Sequence, residues 1–234
     1  MGGHDRRPVI KICGLSSVEH AQVAATNGAD LLGFIFAPSR RRVDAATVRA
    51  IKDSLAPAGD GRPPFVGVFV NPARAALAET IDAAGLDIVQ LSGDEEISLA
   101  ATIPVPYIRA IRIGADSATD DVLREADSWM SLATPPAWLL VDAAVPGSYG
   151  GSGQQANWRI ARHLAARYPT LLAGGLNRDN VATGLAATGA AGVDVSSGVE
   201  IGGAKDADLI VRFITAARKT AQVTSSGVSA QVSP

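Results

Sequence analysis

The feature that most constrains the fold of this chain is a regular alternation between short apolar segments and longer helical ones. Eight short runs rich in Val, Ile and Leu are predicted as strands: 8–13, 30–35, 65–70, 87–91, 106–111, 137–142, 170–173 and 191–195. Apolar residues recur near a 3.6-residue spacing in eight predicted helices: 17–27, 44–55, 72–84, 95–101, 119–130, 155–166, 178–187 and 206–218. Strict alternation implies parallel strands joined by right-handed crossovers.

Eight strand–helix units point to a closed barrel. The chain has 234 residues, 47% of them hydrophobic, which suits one α/β domain, a single (β/α)8 TIM barrel of roughly 200–250 residues. An open, doubly wound sheet of eight parallel strands is the alternative that the pattern leaves open. The predicted barrel occupies residues 8–219 and follows an N-terminal tail, 1–7. Residues 220–234 are rich in Ser, Val and Gln without periodicity, so a disordered C-terminal tail is predicted.

Charge and cysteine content exclude several classes of function. The formal net charge of −2 argues against a nucleic-acid-binding surface, which needs clustered Lys and Arg. One Cys and three His leave little material for a metal site, and a lone Cys fits a reducing cytosol. The N-terminus lacks the apolar core of a signal peptide, and no apolar run reaches the roughly 20 residues that span a bilayer. We expect a cytoplasmic protein without membrane partners, and a monomer in preference to a dimer.

Two candidates for acid–base chemistry end predicted strands, where barrels carry their active groups. Cys13 ends the first strand, and Lys11 faces the same way because residues alternate along a strand. A neighbouring ammonium favours the thiolate, so this layout suits a base. Asp142 ends the apolar sixth strand, where its pKa can rise towards the range of a general acid. Taken singly, a small buried Cys and a loop-capping Asp explain the two residues at least as well.

The loops near the end of the chain predict a phosphate site. After the seventh and eighth strands the sequence runs through residues 173–176 (AGGL) and 196–199 (SSGV). Glycines let the backbone approach a ligand, and backbone N–H groups at a helix start bind phosphate. Barrels commonly hold phosphate with this pair of loops, and ordinary tight turns are the alternative. A small phosphorylated molecule is therefore the predicted substrate.

Two further loops suggest how a substrate is held and covered. Arg40, Arg41 and Arg42 follow the second strand. A guanidinium pairs bidentately with a carboxylate, so one of them is expected to bind an acid group and at least one to lie in solvent. The long glycine-rich segment 143–153 after the sixth strand predicts a mobile cover over the site.

Several motifs follow one another in a characteristic order along the chain. They are KICGL (11–15), GAD (28–30), GFIF (33–36), SRRRV (39–43), VGVFVN (66–71), VQL (89–91), Asp142 with the glycines of 147–153, AGGL (173–176), VDVSSGVE (193–200) and KD (205–206). On these motifs, over residues 8–218, the chain resembles the phosphoribosylanthranilate isomerase family of tryptophan biosynthesis. That family belongs to the ribulose-phosphate-binding barrel superfamily.

The resemblance implies a role for each matching position. It implies a general base at Cys13, a general acid at Asp142 and, at Arg41 in the S-x-R-x-V pattern, a contact to the anthranilate carboxylate. The implied phosphate-binding and site-lining residues are Gly174, Gly175, Ser197, Gly198, Lys11 and Gln90. No metal or organic cofactor is implied. The chain departs from the family at Ser92, where a His is usual. Ser92 is expected to face the same way as Gln90, so the local polar network must differ.

The implied reaction is an Amadori rearrangement, in which an N-linked aldose becomes a 1-amino-ketose. Asp142 would protonate the furanose ring oxygen, and Cys13 would then remove the proton from C2′. The rival enzyme is the histidine-pathway isomerase that acts on a phosphoribosyl carboxamide, which would place Asp at the end of strand one. A non-catalytic phosphate-binding barrel, the second rival, would not need Cys13 and Asp142 together.

Overall fold

The computed structural model describes residues 7–55, 61–114, 116–143 and 157–226. Eight parallel strands follow one another round a closed barrel: β1 Val9–Cys13, β2 Leu31–Ile35, β3 Phe65–Phe69, β4 Ile88–Leu91, β5 Tyr107–Ile113, β6 Trp138–Ala143, β7 Thr170–Leu172 and β8 Gly192–Val195. Pairing of β8 with β1 closes the cylinder and sets Lys11 opposite Asp194. The predicted barrel is confirmed, and the open-sheet alternative is wrong.

Seven α-helices occur among the described residues: α1 Val18–Thr26, α2 Ala45–Ser54, α3 Arg74–Ala84, α4 Thr119–Met130, α5 Trp158–Ala165, α6 Val181–Thr188 and α7 Ala207–Ser226. Their ends follow local chemistry. The side chain of Asp44 caps α2 by accepting the amide of Thr47, and α3 ends at the left-handed Gly85. No helix in this part of the chain is long and apolar enough to cross a membrane.

Two of the predicted helices differ from the structure. The segment predicted as a helix at 95–101 is a 3₁₀ helix, Ile97–Thr102. Two prolines follow at 104 and 106, and each forces extended backbone on the residue before it, so no further helical turn can form. The last helix, predicted to end at 218, continues to Ser226, and the disorder of the C-terminal tail stays a prediction. The predicted cover from 144 onwards and the last eight residues, 227–234, lie outside the described residues.

Alternate residues of each strand enter two separate apolar layers. The inner layer fills the barrel with Leu31, Val66, Ile88, Ile108, Ala110, Leu140, Leu171 and Ala173. The outer layer packs the opposite strand faces against the helices and is much larger. Further along the strands, the inward positions change from apolar to polar residues. The burial of apolar surface thus builds both layers and leaves polar groups at the C-terminal mouth of the barrel.

Candidate active site

A cavity of about 580 Å³ opens at the C-terminal ends of the strands. Its polar lining comes from five strands and from the loops after β2, β4 and β8: Cys13, Gln90, Arg112, Asp142, Asp194, Ser39, Arg41, Ser92 and Ser196. Inward apolar residues, including Ala110 and Leu140, form part of its wall. A concave site of this volume with a few convergent polar groups is typical of small-molecule binding. The structure therefore brings together four residues that were predicted from separate motifs: Cys13, Asp142, Arg41 and Gln90.

Cys13 and Lys11 lie on the inner face of β1, as the strand parity predicts. Lys11 is fully buried, and its Nζ donates a 2.8 Å hydrogen bond to Oδ1 of Asp194 on β8. Gly33 on the neighbouring strand makes room for both side chains, because a Cβ there would lie 3.0 Å from the Cys13 Sγ and from the Lys11 Nζ. Asp194 belongs to the motif at 193–200, but no role was predicted for it from the sequence.

The protonation state of Cys13 depends on opposing effects. Burial raises the pKa of the thiol above its ordinary value, the Asp194 carboxylate adds to the rise, and Lys11 and Lys205 oppose it. Burial alone would lower the pKa of Lys11, but Asp194 and Cys13 together outweigh burial and raise it. Lys11 is thus a charged ammonium that favours the thiolate, as predicted. Its effect does not overcome the burial of the thiol.

Asp142 lies at the end of β6, half-buried and facing the cavity. In the β5–β6 register it is the partner of Arg112, whose side chain also lines the cavity. Asp142 borders a second, smaller pocket as well. The carboxyl therefore stands where the two pockets meet.

Arg41 reaches the cavity wall from the loop after β2 and is held there by Glu200. Its Nε donates to Oε1 of Glu200 at 2.6 Å and its Nη2 to Oε2 at 2.9 Å. Arg40, more than half exposed, also contacts Glu200, and Arg42 is exposed. This confirms that at least one of the three arginines lies in solvent. Glu200 was not predicted from the sequence, because its partners lie far away along the chain.

Glu200 sits on a short antiparallel ribbon formed by β9 Glu200–Ile201 and β10 Ala204–Lys205. Lys205 donates to Oε1 of Glu200 at 2.7 Å and to the backbone oxygen of Ser196 at 2.8 Å. Burial alone would raise the pKa of Glu200, but Arg41 and Lys205 outweigh it and lower the pKa to about 2. The ribbon thus links the arginine loop after β2 to the glycine-containing loop after β8.

The two predicted phosphate loops lie side by side. Gly174 and Gly175 have φ values of 78° and 63°, which favour glycine. Together with Ser196 and Ser197 they line the smaller pocket beside the main cavity. Gly198 touches the other loop, since a Cβ there would lie 1.8 Å from the backbone oxygen of Leu176. A glycine at 198 therefore permits the contact between the loops.

Gln90 and Ser92 face the cavity together from the end of β4, as predicted. Both are buried, and Nε2 of Gln90 donates to Oγ of Ser92 at 3.0 Å. The buried Oε1 of Gln90 has no hydrogen-bond partner among the described residues. The serine hydroxyl thus accepts a hydrogen bond from the NH₂ group of this amide but makes none to its oxygen. Within the same described ranges, no three His, Cys, Asp or Glu residues cluster in a way that could hold a metal ion.

The fold and the cavity define a (β/α)8-barrel enzyme with its polar groups at the C-terminal ends of the strands. Comparison with known proteins then identifies the family. The family model described as N-(5'phosphoribosyl)anthranilate (PRA) isomerase matches residues 10–216. The chain therefore belongs to the N-(5'-phosphoribosyl)anthranilate isomerase family and is an isomerase of tryptophan biosynthesis. The two rival interpretations, a histidine-pathway isomerase and a non-catalytic barrel, are wrong.

Individual relatives agree with this assignment. An N-(5'-phosphoribosyl)anthranilate isomerase of Roseiflexus sp. (strain RS-1) is 44% identical over 217 residues, 91% of this chain and 99% of the relative. A phosphoribosyl anthranilate isomerase solved in complex with reduced 1-(o-carboxyphenylamino)-1-deoxyribulose 5-phosphate is 29% identical, with a TM-score of 0.75 over 91% of this chain and 99% of that one. Monomers generated from the dimeric Thermotoga maritima enzyme are 30% identical, with the same TM-score and coverage.

Proposed function

We propose that this chain converts N-(5'-phosphoribosyl)anthranilate into 1-(2-carboxyphenylamino)-1-deoxyribulose 5-phosphate by an Amadori rearrangement. The observation that carries the proposal is the single cavity in which a thiol, a carboxyl and a guanidinium meet beside a glycine-lined pocket. Such a substrate has a phosphate, a furanose and an aromatic carboxylate, which these groups match in kind. A relative that is 29% identical binds a reduced form of the proposed product.

The two charged ends of the substrate anchor it. The phosphate is held by backbone amides around Gly174, Gly175, Ser197 and Gly198, because such turns direct N–H groups at an anion. Arg41 binds the anthranilate carboxylate through the part of its guanidinium that Glu200 does not use. Lys11 and Gln90 line the space between these ends. Fixing both ends aligns the ribose carbons with the acid and the base.

Asp142 acts first, as the general acid. It protonates the furanose ring oxygen while the bond from C1′ to that oxygen breaks. The nitrogen lone pair moves into a new C1′–N double bond, which gives an open-chain protonated Schiff base. The position of Asp142 at the meeting point of the two pockets supports this role.

Cys13 acts second, as the general base. Its thiolate removes the proton from C2′, the electron pair of that C–H bond forms a C1′–C2′ double bond, and the C1′–N π electrons return to nitrogen. The resulting enolamine gains a proton at C1′ and loses one from its C2′ hydroxyl, which leaves the ketone. The Lys11 ammonium supports the thiolate. Each proton transfer of this kind contributes about 10²–10⁴-fold.

Turnover of phosphoribosylanthranilate by the purified protein, followed by the loss of substrate fluorescence, tests the proposal. The wild-type protein is expected to consume the substrate. Cys13→Ala and Asp142→Asn are expected to lower kcat by about 10²–10⁴-fold each, whereas Ser92→His stays active as a control within the same cavity. Absence of wild-type turnover would contradict the function, and an unimpaired Cys13→Ala protein would contradict the mechanism.

We also propose that the protein acts as a monomer. In the described part of the chain, the exposed large apolar side chains are Val18, Ile97 and Ile201, which lie on three different elements. Scattered apolar residues do not form the continuous patch that a stable homodimer buries. Light scattering on the purified protein is expected to give the chain mass of 23.9 kDa, and a doubled mass would contradict the proposal. The cytoplasmic location stays a prediction.

A further inference from the structure

One ammonium group stands between two acidic groups at the base of the cavity. Lys11 pairs with Asp194 at 2.8 Å and interacts with the thiol of Cys13 from the same strand face. Lys11 has no exposed surface, while Asp194 and Cys13 both line the cavity. A buried ammonium needs a counter-charge. Either the carboxylate or a thiolate at Cys13 provides that counter-charge here.

The other charged groups near Cys13 have partners of their own. Lys205, on β10, is held by Glu200 and by the backbone oxygen of Ser196. Arg41, from the loop after β2, forms its two-bond pair with Glu200. Asp142 faces the same cavity from β6, and Arg112, which pairs with Asp94, faces it from β5. Lys11 is therefore the cation whose counter-charge can change between Asp194 and Cys13.

We propose that Asp194 is a positioning residue that holds the Lys11 ammonium in competition with the Cys13 thiolate. While Asp194 carries its charge and keeps this bond, the thiol of the empty site stays protonated. When Asp194 is engaged by another donor, Lys11 becomes available to the thiolate. The inference rests on the proposed function, because Cys13 is the proposed base and Asp194 controls the ionisation of its thiol.

The position of Asp194 shows how a ligand would reach it. Asp194 borders both the main cavity and the smaller glycine-lined pocket. A sugar whose phosphate occupies the small pocket carries hydroxyl groups next to that phosphate. A hydroxyl that donates to Asp194 weakens its hold on Lys11, because the carboxylate charge is then shared between two donors. The base is thus released when a phosphorylated sugar is bound.

Removing the Asp194 charge and removing the Lys11 charge should have opposite effects. In Asp194→Asn, the Lys11 ammonium loses its carboxylate, and a thiolate at Cys13 becomes its counter-charge, so the thiol releases its proton to solvent more readily. The pKa of Cys13 should therefore fall. In Lys11→Met, the thiolate loses its nearest cation and still faces Asp194, so the pKa of Cys13 should rise.

Alkylation by iodoacetamide across a pH series measures this pKa directly, because Cys13 is the only cysteine of the chain. At pH 7, Asp194→Asn is expected to react about tenfold faster than the wild type and Lys11→Met at least about tenfold slower, as shifts of about one pKa unit require. The midpoint of each pH curve reports the ionisation of the thiol, whereas a change in its accessibility to iodoacetamide alters only the height of the curve. The acid limb of kcat/KM against pH should move in the same direction as each midpoint.

Asp30→Asn is the matched control, because Asp30 also pairs with cations but precedes β2, at the opposite end of the barrel. It should leave the alkylation midpoint unchanged. An Asp194→Asn midpoint equal to or above that of the wild type would overturn the proposal, and so would a lowered midpoint in Lys11→Met. If one of these two variants fails to fold, the alkylation midpoint of the other still tests the proposal. The alkylation needs no substrate, so its result is separate from the turnover that tests the proposed function.

Discussion

Two buried ion pairs of this barrel look alike by chemistry and differ in position. Lys11 and Asp194 meet inside the barrel, at the edge of the cavity. Arg109, on β5, faces outwards and donates from Nη1 to Glu95 at 2.5 Å, with its guanidinium 4.6 Å from the ring centre of Trp129 on α4. Both pairs are almost entirely shielded from solvent.

The outer pair has its acceptor saturated, whereas the inner pair borders open space. The Glu95 carboxylate also accepts the backbone amides of Asn71 and Gly93, so it ties the loops after β3 and β4 to β5. Neither Glu95 nor Arg109 lines the cavity. Burial of a charge therefore does not distinguish a chemical group from a structural one. The two are distinguished by the face of the strand that carries the charged side chain, which is inward to the cavity for one pair and outward to the helices for the other.

The largest expected effect falls on the outer pair and on stability. Glu95→Gln removes the buried negative charge that pairs with the Arg109 guanidinium. The change should lower the free energy of unfolding by about 3–5 kcal/mol. Urea denaturation measures this loss, while kcat of the folded protein should stay near the wild-type value. Glu125→Gln, which removes the exposed second partner of Arg109, should cost at most about 1 kcal/mol. A large loss of kcat in folded Glu95→Gln would remove the distinction between the two pairs.

An arginine on the cavity side should show the reverse pattern. Arg41→Gln is expected to lower kcat/KM roughly ten- to over a hundredfold. It loses the proposed charge-assisted bond to the substrate carboxylate, which contributes about 1.5–3 kcal/mol. The change should appear mainly in KM, with a smaller effect on unfolding. Arg40→Gln is the matched control, since Arg40 contacts the same Glu200 from the exposed side. Equal kinetic losses in the two variants would show that Arg41 acts only through Glu200.

A smaller effect is expected where the two proposed phosphate loops touch. In Gly198→Ala the new Cβ would overlap the backbone oxygen of Leu176, and relieving such an overlap costs about 1–3 kcal/mol. We expect a higher KM and weaker inhibition by inorganic phosphate. Gly202→Ala, at a positive φ with nothing within 4 Å, should cost about 1 kcal/mol of stability and leave KM unchanged. Unchanged phosphate inhibition in Gly198→Ala would argue against a phosphate site between these loops.

The last effect is confined to acidic pH. The pKa of Glu200 is lowered from 4.5 to about 2 in the folded protein, so Glu200 stabilises the fold above pH 4.5, and this contribution is lost as the pH falls towards 2. Urea denaturation between these pH values should show a steeper loss of stability in the wild type than in Glu200→Gln. Parallel curves for the two proteins would contradict the assigned ion pairs.

The sequence by itself determined the barrel and the direction of its site residues. Alternation of strand and helix is a local property, so it predicted eight parallel strands without any knowledge of contacts. The period of two along a strand likewise set Lys11 beside Cys13 and Gln90 beside Ser92. The same local reasoning failed at 95–101, where the periodicity suggested an α-helix but the chain forms a 3₁₀ helix before two prolines.

Only the tertiary structure decided which charges pair and how strongly Cys13 holds its proton. Lys11 meets Asp194 across 183 positions of sequence, and Arg41 meets Glu200 across 159. Those pairings depend on the register in which β8 closes onto β1 and on a ribbon that brings Glu200 to the loop after β2. The pKa of a thiol sums desolvation and charge over all directions in space. Sequence order therefore located Cys13, the proposed base of this barrel, and the folded charges around it determine when it is ionised.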